Sequence, residues 1–585
     1  MVTPLNRLQT LNSAETGDSR FKRLALVKVD KAGKSGFMGI LNTLWANITL
    51  SVINRYLVFT LCLLATCISL LTIHLWAGGW FVTLLFGFFT FVGVIDLLQT
   101  EHAVLRNYPI IGHIRYLVED IRPEIRQYLL EADNDALPFS RSQRTLIYAR
   151  AKNVHSDKPF GTLMNVYENG YEFISHSTRP MPETDPHLYR VSVGNDQCSK
   201  PYSCSVMNIS AMSFGSLSAN AIAALNRGAK IGGFAHDTGE GGISSYHKQH
   251  GGDLIWEIGS GYFCCRNDDG TFNPKRFAEN AALDQVKMIE IKLSQGAKPG
   301  HGGILPGAKV TPEIAMTREV PEGVDCISPA RHSAFTTPLE MMQFIQQLRE
   351  LSDGKPVGFK LCLGHPWEFM GIVKAMLETD IIPDFVVVDG GEGGTGAAPV
   401  EFADHIGMPL QEGLLFVHNA LVGAGLRDKI KIGASGKIAS AFDIARVLAL
   451  GADWANSARG FMFAVGCIQS RSCHTNKCPT GVATQDHLRQ RALVVPDKAE
   501  RVANFHRNTL KGLSQMLAAA GLDNPDELAP HHLVRRVSAT ETRLFSQLHY
   551  FVQPGEIIEE SPALSDFYKT SWKLARADSF DAHRG

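Results

Sequence analysis

One repeated pattern between residues 205 and 490 constrains the fold most. Short apolar runs, typical of buried strands, end in turns rich in glycine and polar residues, and helical patterns separate the runs. Such an alternation is typical of a parallel sheet, and eight units in about 280 residues match an α/β fold of the (β/α)8 TIM-barrel type. The predicted strands cover residues 206–211, 232–235, 288–291, 326–328, 357–359, 385–388, 429–432 and 452–456.

The last two predicted strands end in turns that suit a phosphate group. Their sequences are Gly-Ala-Ser-Gly at 433–436 and Ser-Ala-Arg-Gly at 457–460. Small residues let backbone N–H groups approach a phosphate, and the N-terminus of the helix that follows favours negative charge. TIM barrels bind phosphate after their last strands. The pattern therefore predicts a cofactor that carries a phosphate.

Three cysteines follow the second of these turns at short spacing: Cys467, Cys473 and Cys478. The chain has 11 cysteines, but the others are scattered, which is unlike the framework of a disulfide-rich secreted protein. We therefore expect a reducing compartment. There, three neighbouring thiolates favour an iron–sulfur cluster or another metal over disulfides.

A cationic set of side chains follows the middle strands. Lys292, Lys298 and Lys360 lie at or near predicted strand ends, and Gln295 and Glu240 accompany them. Lysines that project into a barrel mouth can clamp a dicarboxylate, or neutralise negative charge on a reduced flavin ring. Glu240 is a candidate for acid–base work or for positioning an ammonium group.

The N-terminal region contains a long interval without charge. Between Arg55 and Asp96 there is no Asp, Glu, Lys or Arg, and residues 74–80 divide the interval into two apolar pieces. Each piece has about the 20 residues that a helix needs to cross a bilayer. Basic residues precede the first piece, so the positive-inside rule places both ends in the cytoplasm. We predict an anchor in the inner (cytoplasmic) membrane, with the catalytic domain facing the cytoplasm.

These observations predict five regions. They are a polar, basic segment at 1–55, two transmembrane helices at 56–98, a helical and irregular lead-in at 99–204, the barrel with its cysteine loop at 205–490, and a helical extension at 491–585. The formal net charge is −1 and long basic runs are lacking, which argues against a nucleic-acid partner.

Several motifs together resemble the FMN-binding synthase domain of the glutamate synthases. The resemblance covers roughly residues 200 to 490 and is closest to stand-alone, membrane-anchored bacterial members. The motifs are MSFGSLS at 212–218, TGEGG at 238–242, QGAKPG at 295–300, GGTG at 393–396 and CHTNKCPTGVATQ at 473–485.

The resemblance implies a barrel with bound FMN and a [3Fe-4S] cluster, which reductively aminates 2-oxoglutarate to glutamate through 2-iminoglutarate. It places Cys467, Cys473 and Cys478 on the cluster, and Lys292, Gln295, Lys298 and Glu240 on the 2-oxoglutarate side. The residues implied to hold the flavin and its phosphate are Met212, Ser213, Lys360, Gly394, Thr395, Gly433, Ser435, Gly436, Arg459 and Gly460.

The sequence also departs from the large glutamate synthases. It shows no amidotransferase domain and no GxGxxG unit for NADPH, and His301 stands where the family usually has Glu. We therefore expect an ammonia source in solution or in a partner, and a separate electron donor protein or reduced pyridine nucleotide partner. Two alternatives stay open. The same cofactors could act on another 2-oxo or N-alkyl amino acid, or the chain could be a membrane-linked electron relay without its own small substrate.

Overall fold

The computed structural model describes residues 55–74, 78–132, 138–154, 157 and 159–583, in two compact units that divide after Leu129. The predicted basic segment lies almost wholly outside the described residues. The first unit contains two apolar helices where the sequence predicts transmembrane segments, and both are long enough to span a membrane. Its helices are Arg55–Thr72, Gly79–Leu98, Ala103–Asn107 and Gly112–Ile125.

Hydroxyl groups join the two long helices of this unit. Thr66 Oγ1 lies 3.0 Å from Thr90 Oγ1, and Thr83 Oγ1 donates to Ser69 Oγ at 2.9 Å. Most of the large apolar side chains around them point outward and are exposed, as in Leu71 and Phe91. The unit is therefore a helical hairpin with a polar seam and an apolar exterior.

The second unit is built around a closed barrel of eight parallel strands, which confirms the predicted fold class. Each strand pairs with the next along the chain, and the last pairs with the first. The strands are β1 Met207–Ile209, β2 His236–Asp237, β3 Leu254–Ile258, β4 Val286–Lys292, β5 Val357–Leu361, β6 Phe385–Asp389, β7 Lys431–Ser435 and β8 Trp454–Ser457.

Two of the predicted strands were wrong, and one barrel strand was not predicted. Residues 326–328 form an antiparallel pair with Gly303–Leu305, outside the barrel. Residues 232–235 end a helix and turn, since Gly233 caps the helix at φ 67°, and the strand follows at His236–Asp237. The missing strand is β3, whose apolar run contains Glu257.

The barrel interior follows the two-residue period of its strands. A buried apolar layer at the amino ends of the strands includes Ile255, Met288, Val387 and Trp454. Because alternate side chains share a face, the residues two positions further on also point inward. Those positions hold polar and charged side chains: Glu257, Glu290, Asp389 and Asn456. The carboxyl end of the barrel is therefore polar.

Helices surround the barrel and carry its hydrophobic core. The 26-residue helix Val495–Ala520 packs on the helices Ala219–Gly232 and Arg141–Ala151. A three-stranded sheet joins Glu172–Ile174, Leu533–Arg536 and Thr542–Leu544. The other helices of eight or more residues are Pro274–Ala281, Pro338–Leu351, Pro366–Thr379, Leu410–Gly423, Ala441–Ala449 and Asp566–Leu574.

Candidate active site

A cavity opens at the carboxyl ends of the barrel strands, where TIM barrels carry their chemistry. The structure brings most of the predicted site residues together in its lining. They are Met212, Ser213, Glu240, Lys292, Gln295, Lys298, Lys360, Gly394, Thr395, Ser435, Gly436, Arg459 and Cys473.

Two predicted glycines lie behind this lining. A Cβ on Gly433 would stand 2.6 Å from the ring of Trp454, and a Cβ on Gly460 would stand 2.5 Å from Ser457 Oγ. Both positions need glycine because neighbouring side chains fill the space. They shape the last two strand ends without facing the cavity.

The substrate-side residues form one connected cationic cluster. Lys292 Nζ pairs with Glu240 Oε2 at 3.0 Å and donates to Gln295 Oε1 at 3.0 Å. The Lys298 ammonium makes no hydrogen bond to any residue that the structure describes. Burial alone would raise the pKa of Glu240, but Lys292 outweighs it and holds the pKa below its usual value. Two ammonium groups therefore face one carboxylate, which suits an anionic ligand.

His332 braces this cluster from behind. Its ring nitrogens lie 3.0 Å from Tyr262 Oη and 2.9 Å from the carbonyl oxygen of Lys292. Burial lowers the pKa of His332 to about 4, so the ring is neutral at physiological pH. The histidine fixes the end of β4, from which Lys292 projects.

Lys360 lies deeper than the other two lysines. Its ammonium bonds to Glu257 Oε2 inside the barrel, and Glu290 Oε1 is 3.7 Å away. Lys360 and Glu257 both line the floor of the cavity. This lysine is therefore part of a buried ionic cluster as well as a cavity residue.

The opposite end of the cavity combines small residues with two cations. Ser435 Oγ lies 3.2 Å from Ser210 Oγ, and Lys437 follows at the turn. Arg459 Nη2 donates to the carbonyl oxygen of Thr395 at 2.6 Å. A Cβ on Gly394 would stand 2.9 Å from Arg459 Nε, so the guanidinium packs directly on the glycine backbone. This end suits a phosphate group.

The three predicted cysteines belong to one loop beside the cavity, and all are free thiols. Burial raises the pKa of Cys467 to about 11. Burial also acts on Cys478, but backbone N–H groups led by that of Ala483 outweigh it and lower the pKa. Lys309 Nζ donates to the carbonyl oxygen of Cys473 at 2.8 Å, and its side chain lines the cavity. Lys309 thus joins the cysteine loop to the barrel mouth.

Several cavity residues escaped the sequence analysis. Glu257 was missed because β3 was not recognised, while Lys437 directly follows a predicted phosphate turn and could have been included. Arg318 is further from any motif. Its Nη2 reaches Ser213 Oγ at 3.3 Å and the carbonyl oxygen of Phe214 at 3.1 Å. Arg318 ends the helix Pro312–Arg318, and no pattern in the sequence places that helix against the cavity.

The barrel, its cationic mouth and its adjoining cysteine loop belong to a flavin-dependent oxidoreductase, as the match to a known family shows. A sequence profile described as the conserved region in glutamate synthase matches residues 182–523, which include all eight barrel strands and the three cysteines. The chain belongs to the glutamate synthase family.

Two relatives illustrate the extent of the match. The glutamate synthase large subunit-like protein YerD of Bacillus subtilis is 39% identical over 505 residues, which are 79% of this chain and 96% of the relative. The archaeal glutamate synthase [NADPH] of Methanocaldococcus jannaschii is 37% identical over 322 residues, covering 55% of this chain and 60% of the relative. Among solved structures, a mutant flavocytochrome b2 with pyruvate bound covers 81% of this chain and 96% of its own, with 14% identity and a TM-score of 0.36.

Proposed function

We propose that the chain uses FMN and an iron–sulfur cluster to aminate 2-oxoglutarate reductively to glutamate, through 2-iminoglutarate, with electrons from a separate donor. The observation that carries this proposal is the cluster of Lys292, Gln295, Lys298 and Glu240 in one cavity. This cluster shares the cavity with the end that suits a phosphate group, and the chain belongs to the glutamate synthase family. Both facts support the same proposal.

The residues at the end of the cavity that suits a phosphate group fit FMN. Gly394 and Gly436 line the cavity without side chains, so that the backbone there can approach a ring or a phosphate closely. Ser435, Lys437 and Arg459 would hold the phosphate. When bound, FMN supplies the hydride that reduces a substrate carbon.

The cysteine loop fits a polynuclear cluster better than one metal ion. In a tetrahedral zinc site with Zn–S bonds of about 2.3 Å, the sulfur atoms lie about 4 Å apart. Among the described residues, Cys467, Cys473 and Cys478 do not form a group whose ligand atoms all lie within 4.8 Å of one another. The wider spacing suits a [3Fe-4S] cluster, which would relay single electrons when bound.

The chain's own side chains bind and orient the substrate. 2-Oxoglutarate carries two carboxylates, and Lys292 and Lys298 offer two ammonium groups in a buried site. Gln295 shares a hydrogen bond with Lys292 and can reach a bound carbonyl or carboxylate. Glu240 is ionised at neutral pH and can hold the ammonium ion or accept its proton, which releases the nucleophilic amine.

We further propose that the two apolar helices anchor the chain in the cytoplasmic membrane, with the barrel in the cytoplasm. Their length and composition support this proposal. The electron donor would be a separate protein or a reduced pyridine nucleotide partner. The exposed surface around the cysteine loop is basic at Arg471, Lys477, Arg489 and Arg491, which suits an acidic donor protein. We propose that the chain does not bind nucleic acid.

Flavin reoxidation tests the proposed function directly. The purified protein is reduced anaerobically and mixed with ammonia and one of several 2-oxo acids, and flavin absorbance and amino-acid product are followed. We expect 2-oxoglutarate to give the fastest saturable reoxidation, with glutamate as product. Faster turnover of another 2-oxo or N-alkyl substrate would contradict the assigned substrate, and reoxidation by none of them would favour an electron relay.

A further inference from the structure

A cluster of charged groups fills the barrel interior directly beneath the cavity. Asp237, Glu257 and Glu290 project from β2, β3 and β4, and one carboxylate oxygen from each lies within 4.8 Å of the other two. All three side chains are buried. Lys360 from β5 bonds to Glu257 and lies 3.7 Å from Glu290. The four groups thus lie together in the barrel interior.

Glu290 is the least satisfied member of this buried cluster. It is 0% exposed, and neither of its side-chain oxygens has a hydrogen-bond partner among the described residues. It also stands directly opposite Glu257 in the register of β3 and β4. An ionised carboxylate without hydrogen bonds in a protein interior is very costly, and like charges opposite each other on a sheet add repulsion.

The charge count requires bound protons. Three ionised carboxylates against one ammonium would leave two uncompensated negative charges in the barrel. A metal ion is a poor solution, because the Lys360 ammonium already occupies the cationic position between the carboxylates. A protonated carboxyl removes a charge and can donate a hydrogen bond to its neighbour. The geometry therefore indicates that bound protons, rather than a metal ion, neutralise the excess negative charge.

The surrounding elements agree with this reading. Burial raises the pKa of Asp237 to about 7, and burial together with Asp237 raises that of Glu290 well above its ordinary value. The other charged groups that face the cluster are Lys292 on β4 and Asp389 on β6. Asp389 accepts a hydrogen bond from the Gly296 N–H at 2.9 Å.

We propose that Asp237, Glu257, Glu290 and Lys360 form a proton store that serves the cavity above them. Glu257 and Lys360 line the cavity floor, so they connect the store to the reaction space. A proton bound by Glu290 or Asp237 passes to Glu257, whose oxygen lies within 4.8 Å, and from Glu257 to the acceptor in the cavity. Lys360 stays charged and holds Glu257 in place. The carboxyl that gave the proton becomes ionised, and a proton taken up from solvent through the cavity later restores it.

The role of the store in turnover rests on the proposed function. Reductive amination of a 2-oxo acid by ammonia consumes two electrons and two protons and releases one water. Those protons must reach the cavity at neutral pH, where free hydronium is scarce. A carboxyl group that stays protonated near neutral pH is an effective donor under these conditions.

Infrared titration of the full-length protein in detergent tests the store without any turnover. We expect a carbonyl stretch from a protonated carboxyl near neutral pH, which shifts in heavy water and disappears in Glu290→Gln. Glu172 offers a matched control, because it forms ion pairs with Arg446 and Arg535 outside the buried cluster. The variant Glu172→Gln should keep the band. If Glu290→Gln does not accumulate, Asp237→Asn should move the band's titration to lower pH, since one repelling charge is gone.

Turnover measurements then test whether the cluster delivers protons to the cavity. The rate of flavin reoxidation in Glu290→Gln should fall by about tenfold or more at alkaline pH, with unchanged flavin and iron content. The absence of a protonated carboxyl band in the wild-type protein would refute the proposal that the cluster stores a proton. A normal rate and pH profile in Glu290→Gln would refute the proposal that the stored proton reaches the cavity. Failure of the wild-type protein to turn over 2-oxoglutarate would instead refute the proposed function and leave the infrared result intact.

Discussion

Replacing Lys298 with methionine should weaken substrate binding without harming the fold. Lys298 is 7% exposed and points into the cavity, but its ammonium makes no hydrogen bond within the described part of the chain. Glu240 keeps its partner in this variant, because Lys292 Nζ remains 3.0 Å away. Methionine has a similar length and retains the apolar contacts of the lysine stem.

The expected loss follows from one charge-assisted hydrogen bond. Such a bond contributes about 1.5 to 3 kcal/mol, and about 1.4 kcal/mol corresponds to a tenfold change in Kd. The Kd for 2-oxoglutarate should therefore rise by about tenfold to about 150-fold. The variant Lys292→Met differs, because it also leaves the half-buried Glu240 without its ion-pair partner and should destabilise the fold.

Calorimetric titration of 2-oxoglutarate into the purified protein measures this effect. Lys230→Met, which alters an exposed lysine on the helix Ala219–Gly232, is the control and should leave the Kd unchanged. For a 2-oxo acid without the second carboxylate, the Kd should differ less between the wild-type protein and Lys298→Met. An unchanged Kd for 2-oxoglutarate in Lys298→Met would refute the assignment of this lysine to the substrate carboxylate.

Three further predictions concern the cofactors and the pH dependence. Cys473→Ala should lose its iron and keep its flavin, as measured by metal analysis and released FMN, since Cys473 belongs to the cysteine loop and is not among the residues that would hold the phosphate. Gly394→Ala should lower flavin occupancy with little loss of iron, because the new Cβ would stand 2.9 Å from Arg459 Nε. His332→Asn should not shift the activity–pH profile between about pH 5 and pH 8, because burial lowers the pKa of His332 to about 4 and the ring is already neutral there. A shifted profile would show that His332 titrates during turnover.

The sequence predicted the barrel because most of its strands end in recognisable motifs. The strands before Lys292, Lys360, Asp389 and Ser435 were found in this way, and the side chains at their ends do meet in one cavity. The two-residue period of each strand explains this convergence.

The errors have a physical cause as well. Strand β3 contains Glu257, and a carboxylate within an apolar run hides a fully buried strand from a hydropathy pattern. Its partner Lys360 bonds to it from another strand, which is a long-range contact. Residues 326–328 look like a buried strand, but Ile327 is 64% exposed in a hairpin outside the barrel. Local sequence does not distinguish these two cases.

An absorbance spectrum of detergent-purified protein, with flavin and iron quantified on the same sample, tests the assignment of both cofactors. We expect about one FMN and about three irons per chain, with a flavin spectrum that overlies iron–sulfur absorption. A colourless protein after anaerobic purification would contradict the assignment of a flavin and iron–sulfur oxidoreductase.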